Sequence, residues 1–108
     1  MLNQVVLVGR LISDLEIQET ESGKRRTFLT LAVQRSFKNI DGEYDVDFID
    51  IVMWDSIAEN TVEYCRKGDV IGIKGRLQAS TYETEDGTKK KVTEVIAERV
   101  TFLSSKSV

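Results

Sequence analysis

The feature that most constrains this chain is an alternation of apolar and polar residues with period two, repeated in several short runs. In Arg26–Ser36, for example, Leu29, Leu31 and Val33 share one side and polar or small residues occupy the other. Successive side chains of a β-strand point to opposite faces, so this pattern predicts half-buried strands. Single glycines separate the runs and the chain has no proline, which favours a sheet of short strands joined by turns.

Five strands and one helix are predicted. The strands are Gln4–Ile12, Arg26–Ser36, Val46–Trp54, Val70–Tyr82 and Val92–Leu103. Gly9 predicts a bulge or bend in the first strand. In the fourth, Leu77 and Ala79 are expected to face inward with Ile71 and Ile73. The run Lys89–Lys91 is expected to be a solvated loop.

The predicted helix follows the third strand. Ser56 and Glu59 match a capping box, with Ser56 as the N-cap, and Gly68 is expected to end the helix. Five strands with one short helix between the third and fourth is the element order of a five-stranded Greek-key barrel, the OB-fold. The predicted fold class is therefore all-β with one short helix.

Length and composition limit the rest. The 108 residues, 41% of them hydrophobic, suffice for one domain, predicted over residues 1–104, with a short end at 105–108. The chain has no histidine and a single cysteine, Cys65, so neither an ordinary zinc site nor an internal disulfide is expected. No apolar run is long enough to span a membrane. We expect a cytoplasmic protein with no membrane partner, cofactor or metal.

Four aromatic residues are candidates for an exposed binding surface. Phe48 and Trp54 are on the side of their strand opposite to its predicted core-facing residues. Tyr82 is the last of the outward-pointing residues of the fourth strand. Phe37 lies between the basic residues Arg35 and Lys38. Aromatic rings interleaved with cations bind single-stranded nucleic acid by stacking on bases, which requires no particular sequence. The alternative is that these rings belong to the core or to a subunit interface.

Charge is unevenly distributed along the chain. The net charge is −3, yet the segment Lys24–Lys38 has five basic residues and no acidic one, whereas Asp41–Glu59 has seven acidic residues and no basic one. A basic groove along a nucleic-acid backbone is therefore compatible with an acidic chain. Asp45 and Asp47 also raise the alternative of a metal-dependent nuclease, although a strand would not direct all the acidic residues to one point.

Six short motifs occur in the order and spacing of bacterial single-stranded DNA-binding proteins, which the chain resembles over roughly residues 2 to 103. The motifs are Asn3–Leu11, Asp47–Trp54, Ala58–Glu59, Arg66–Gly68, Gly75–Leu77 and Thr93–Val95. The resemblance implies an OB-fold, a homotetramer and single-stranded DNA wrapped around it. It also implies stacking positions, which fall on Phe37, Phe48, Trp54 and Tyr82.

The chain departs from the family pattern in two respects. Ser80 and Gln78 stand where family members commonly have arginine, and Asp50 and Asp55 lie beside stacking positions. Both changes predict weaker binding with a shallower dependence on salt. The sequence also ends without the linker and acidic tip of replicative members, so partner proteins that depend on that tip are not expected.

The sequence therefore predicts a non-enzymatic, sequence-tolerant binder of single-stranded DNA that has no catalytic residues. The candidate phosphate contacts are Arg10, Arg35, Lys38, Lys67, Lys74 and Arg76. An alternative is an OB-fold interaction module of a replication complex that binds DNA weakly. The sequence marks no pocket for a 2′-hydroxyl group, so single-stranded RNA stays an alternative ligand.

Overall fold

The computed structural model describes residues 1–104, and all five predicted strands are present with small shifts in their ends. The elements are β1 (Val5–Leu11), β2 (Gln18–Glu19), β3 (Arg25–Lys38), β4 (Tyr44–Trp54), α1 (Asp55–Tyr64), β5 (Val70–Glu83) and β6 (Lys89–Phe102). The two-residue strand β2, which pairs with the start of β3, was not predicted. The short end predicted at 105–108 lies outside the described residues.

Strand pairing closes the sheet into a barrel. The order is β1-β5-β6-β4-β3-β2, and β1 also pairs with β3. Only the contact between β4 and β6 is parallel, and it is confined to two residue pairs. The predicted five-stranded OB-fold barrel is confirmed.

The core consists of the inward-pointing residues of the long strands, with one side of α1 packed against them. Leu31, Ile51, Met53 and Ile71 are completely inaccessible to solvent, as the alternation predicts. Ala58 of the helix and Cys65 just after it join the same cluster. No helix within residues 1–104 is long and apolar enough to cross a membrane.

Two glycines allow neighbouring strands to approach closely, Gly9 between β1 and β3 and Gly75 between β5 and β6. A Cβ atom on Gly9 would lie 2.5 Å from the carbonyl oxygen of Ala32, and one on Gly75 would lie 2.1 Å from that of Ile96. Of the bulge or bend predicted at Gly9, the bulge is wrong, because β1 pairs with β5 without interruption from Val5 to Arg10. The register shift lies instead between Lys74 and Gly75.

Both predicted ends of the helix are wrong. The helix begins at Asp55, with Trp54 at the N-cap and no capping bond from its side chain. Glu59 does not complete a capping box, because it lies five residues after the N-cap and not three. Its carboxylate instead accepts a 2.9 Å hydrogen bond from Arg25. Asp55 has a φ of +52°, so the chain turns sharply from strand to helix there. At the other end the helix stops at Tyr64, before the turn that contains Gly68.

The hairpin of β5 and β6 extends beyond the barrel. β1 pairs with β5 only up to Gly75, and β4 pairs with β6 only at Val95 and Ile96. We call residues 77–94 the arm. Leu77 and Ala79 are exposed in the arm, contrary to prediction, because no further layer covers either face. Lys89–Lys91 is part of strand β6 and not a loop.

Replacing Gly75 by alanine is expected to destabilise the fold by about 1–3 kcal/mol, because the added methyl group would collide with backbone. Gly72→Ala is the matched control in the same strand, since its Cβ would meet no atom closer than 3.5 Å. Urea unfolding of both variants measures the difference. Equal stabilities would contradict the role assigned to Gly75.

Candidate nucleic-acid interface

The outward-pointing side chains of β3 and β4 form successive rows across the antiparallel pair. The rows are Arg26 with Trp54, Phe28 with Val52, Thr30 with Asp50, and Ala32 with Phe48. Residues directly opposite one another point to the same face. We call this surface the β3–β4 outer face.

The four predicted stacking residues all lie outside the core cluster. Phe48 is 65% exposed, Phe37 64% and Tyr82 50%, whereas Trp54 is partly buried. Phe48 and Trp54 belong to the β3–β4 outer face, Phe37 lies near the end of β3, and Tyr82 lies on the arm. The alternative that these rings form the core is therefore wrong.

Val52 is buried although its parity directs it outward. Its exposed fraction is only 2%, because Phe28 of β3 and Ile96 of β6 lie directly opposite it on either side. The outer surface of the barrel therefore has a small apolar centre between strands, with Phe28 at its edge.

Phe28 is an aromatic residue on this face that the sequence analysis did not identify. Its ring is 46% exposed, and the guanidinium carbon of Arg26 lies 4.7 Å from its centroid. The same carbon lies 5.7 Å from the Trp54 ring. Extending the alternation of β3 back from Thr30 by one step would have found Phe28.

Arg35 is occupied by neighbouring carboxylates. Its Nε and Nη2 atoms donate to both oxygens of Asp47 at 3.0 and 2.9 Å, and Nη1 lies 3.7 Å from Asp45. The hydrogen bond from Arg35 lowers the pKa of Asp47, and the same bond raises the pKa of Arg35. The basic and acidic segments are adjacent antiparallel strands, so part of the predicted basic groove is neutralised.

Two other predicted phosphate contacts lie close to exposed rings. Arg10 is in register with Ala32, which in turn faces Phe48, and its Nη1 donates to the Gly68 carbonyl at 2.7 Å. The Nζ of Lys38 lies 5.8 Å from the centroid of Tyr44, another exposed ring that the sequence analysis missed.

The other three predicted phosphate contacts do not lie beside the exposed rings of the β3–β4 outer face. Lys74 lies opposite Val6 and Arg99, so the fold directs it away from the β3–β4 outer face. Lys67 is exposed in the turn after the helix. Arg76 donates to Gln78 at 2.9 Å and lies 3.9 Å from Glu98.

Acidic residues interrupt the β3–β4 outer face. Thr30 donates to Asp50 at 3.0 Å, and these residues line a cleft of about 260 Å³ together with Phe28 and Glu94. Asp45 and Asp47, the residues of the nuclease alternative, are engaged by Arg35. Residues 1–104 contain no group of three or more His, Cys, Asp or Glu side chains suited to a metal ion.

The arm pairs an aromatic ring with a cation. Tyr82 is directly opposite Lys90, so both side chains share one face of the hairpin. At its tip, hydrogen bonds from Thr84 and Thr88 lower the pKa of Asp86 to about 2. Lys90 was not among the predicted contacts, because the lysine run was expected to be a loop.

Known proteins that are similar to this chain match it over the whole barrel. The single-strand binding protein family model matches residues 2–103. Single-stranded DNA-binding protein B of Bacillus subtilis is 46% identical over 106 residues, which cover 98% of this chain and 94% of that protein. Single-stranded DNA-binding protein 3 of Listeria innocua is 48% identical over 106 residues, or 98% of this chain and 66% of that protein. The single-stranded DNA-binding protein of Streptococcus pneumoniae is 45% identical over 108 residues, or 100% of this chain and 69% of that protein.

Arg35→Gln is expected to raise the pKa of Asp47 toward its ordinary value of 3.8, because the substitution removes the charged donor. A carboxyl ¹³C NMR titration measures this, with Arg25→Gln as the control that leaves Asp47 unchanged. Since folding lowers the pKa of Asp47, its stabilising contribution is present above the unfolded pKa and is lost as the pH falls through the folded value. An Asp47 pKa that is the same in Arg35→Gln and in the unsubstituted protein would contradict the pairing.

Proposed function

This chain belongs to the single-strand binding protein family, and we propose that it binds single-stranded DNA by stacking bases on exposed aromatic rings. The stacking residues are Phe37, Phe48, Trp54 and Tyr82. The observation that carries the proposal is the exposure of Phe48, a large apolar ring 65% accessible in the middle of a barrel strand. Folding gains little from a ring in that position, whereas a base gains a surface on which to stack.

The proposed mechanism is tolerant of base sequence. Every base has a π-face, so stacking alone does not distinguish one base from another. In duplex DNA the base faces are stacked on one another, so this surface would favour an open strand. Binding only the open strand would shift hairpins toward their melted form by mass action.

Cations near these rings are proposed to contact phosphates. Arg10 lies in the row of Phe48, Lys38 beside Tyr44 and Lys90 opposite Tyr82. Arg35 would contribute only after release from Asp47. Lys67 and Arg76 are weaker candidates, and Lys74 is the weakest because of its place on another side of the barrel.

The proposed role is protection of exposed strands during replication, recombination, repair or DNA uptake, without catalysis. The bacterial relatives are named for binding single-stranded DNA, which supports the ligand. An interaction module that binds DNA weakly is the competing function, and the titration described below separates the two.

A homotetramer is the proposed assembly. Its support is an apolar surface on another side of the barrel, where Val6 is 72% exposed and Val8 54% exposed. These residues line a groove of about 260 Å³ together with Leu103. Burial of exposed valine and leucine side chains between copies would stabilise the assembly.

Titration with oligo(dT) is expected to quench the emission of Trp54 and to saturate at a fixed ratio of nucleotides to protein. Phe48→Ala and Tyr82→Ala should each weaken binding about 5- to 150-fold, because a stacked base contributes about 1–3 kcal/mol. Tyr64→Ala is the matched control, since Tyr64 is 52% exposed but lies on the helix.

The interaction module predicts a different result. In that case Phe48→Ala and Tyr82→Ala bind oligo(dT) as weakly as the unsubstituted protein. A gel-shift assay with the Phe48→Ala/Trp54→Ala variant provides a readout that does not depend on fluorescence.

Asp50→Asn is expected to tighten binding, because it removes a negative charge from the middle of the β3–β4 outer face and keeps an oxygen for Thr30. Glu63→Gln makes the same charge change on the exposed side of the helix and serves as the control. The dissociation constant for oligo(dT) at about 50 and about 300 mM salt measures both effects. An equal gain in the two variants would show that only net charge matters.

A further inference from the structure

Phe28 is an exposed aromatic residue that lies outside the core cluster. Its two neighbours along β3, Thr27 and Leu29, are buried at 0% and 5% exposure, whereas Phe28 is 46% exposed. The ring therefore points away from the core, on the same surface as Phe48 and Trp54. A second exposed phenylalanine, Phe102, differs from it in contacting Tyr64 at 6.0 Å between ring centroids.

The position of Phe28 fills a gap between two proposed stacking residues. Trp54 and Phe48 are six residues apart on β4, which at about 3.3 Å per residue separates their rows by about 20 Å. Phe28 is directly opposite Val52, so its row lies about 7 Å from that of Trp54. Aromatic surface therefore continues from Trp54 toward Phe48 across the strand pair.

Arg26 provides a cation at the same place. Its guanidinium carbon lies 4.7 Å from the centroid of Phe28 and 5.7 Å from the Trp54 ring, so both rings hold it over the outer face. No carboxylate of residues 1–104 forms an ion pair with Arg26, in contrast to Arg35. Within the same residues its guanidinium nitrogens have no hydrogen-bond acceptor, and only Nε is buried.

An uncompensated guanidinium between aromatic rings is suited to one phosphate of a nucleic-acid chain. Guanidinium groups bind phosphate oxygens through charged hydrogen bonds, and the adjacent ring of Phe28 offers a stacking surface for the base. We propose that Arg26 and Phe28 form a further nucleotide subsite next to Trp54, with the base on Phe28 and the phosphate on Arg26. This inference rests on the proposed function and adds a position to it.

The neighbouring charges orient the nucleotide. On the side of Phe28 away from Arg26, the next row contains Asp50, and Glu94 lines the same cleft. Two carboxylates repel a phosphate, so the phosphate is directed toward Arg26. The strand therefore runs with its backbone on the Arg26 side at this subsite.

The test distinguishes loss of the aromatic face of Phe28 from loss of its apolar bulk. Phe28→Leu removes the aromatic face but keeps an apolar side chain, and Phe28→Tyr keeps the face. Phe102→Leu is the matched control, because Phe102 is 45% exposed but packs near the helix. Binding of a short oligo(dT) is measured by anisotropy, and thermal unfolding checks that each variant is folded.

The expected results are specific to each residue. Phe28→Leu weakens binding about 5- to 150-fold, whereas Phe28→Tyr and Phe102→Leu stay within about twofold of the unsubstituted protein. Arg26→Gln lowers the slope of log Kd against log salt by about 0.7 per protomer, as expected for the loss of one phosphate contact on a single strand. Phe28→Leu changes that slope less than Arg26→Gln does, because it removes no charge and leaves Trp54 in contact with Arg26.

Unchanged binding by Phe28→Leu, or an equal loss in Phe102→Leu, would overturn the stacking role of Phe28. An unchanged salt slope in Arg26→Gln would overturn the phosphate contact. In either case the unsubstituted protein still binds oligo(dT) and the proposed function stands. If the unsubstituted protein does not bind oligo(dT) at all, the proposed function itself fails.

Discussion

Closure of the barrel is the constraint on which the rest of the structure depends. β1 pairs with β5 along its length and then with β3 at Arg10 and Leu11, so one short strand joins both edges of the sheet. The pairing of β1 with β3 is sterically allowed only because residue 9 is glycine. A Cβ atom at that position would lie 2.5 Å from the carbonyl oxygen of Ala32. Closure also removes free strand edges, which would otherwise pair with other chains. It fixes which side chains face outward, and thereby forms the proposed binding surface.

Ion pairs between neighbouring elements neutralise part of the charge on the proposed binding surface. Arg35 of β3 pairs with Asp47 of the adjacent strand β4, and Arg25 of β3 pairs with Glu59 of the helix, each at 2.9 Å. Such exposed pairs add little to stability, but they reduce the positive charge available to a phosphate backbone. What is left exposed is aromatic surface with a few unpaired cations. Stacking would therefore contribute a larger share of the binding free energy than the release of counterions.

The arm gives the protein a second surface that the barrel alone would not provide. Beyond Gly75 and before Val95, β5 and β6 pair as strands with each other and with no other strand of residues 1–104, although the Asn3 side chain still bonds the backbone of Leu77. Both faces of the hairpin are then open, which exposes Leu77 and Ala79 and aligns Tyr82 with Lys90. A two-stranded ribbon is marginally stable alone, and here it is an extension of strands anchored in the core. The aromatic and basic residues of the arm thus stand clear of the barrel, where a strand leaving the β3–β4 outer face would meet them.

The sequence by itself determined the five barrel strands, their order with the helix and the alternation of side chains along them, because a period of two is a local property of an extended backbone. Those facts were sufficient for the OB-fold and for the outward positions of Phe48 and Trp54. Only the tertiary structure decided register and closure, which depend on pairing between residues far apart in the chain. Register placed Asp47 beside Arg35 and Lys90 opposite Tyr82. It also placed Val52 between Phe28 and Ile96. The tertiary structure also pairs Glu59 with Arg25, 34 residues earlier in the chain, a contact that the local capping pattern does not reveal.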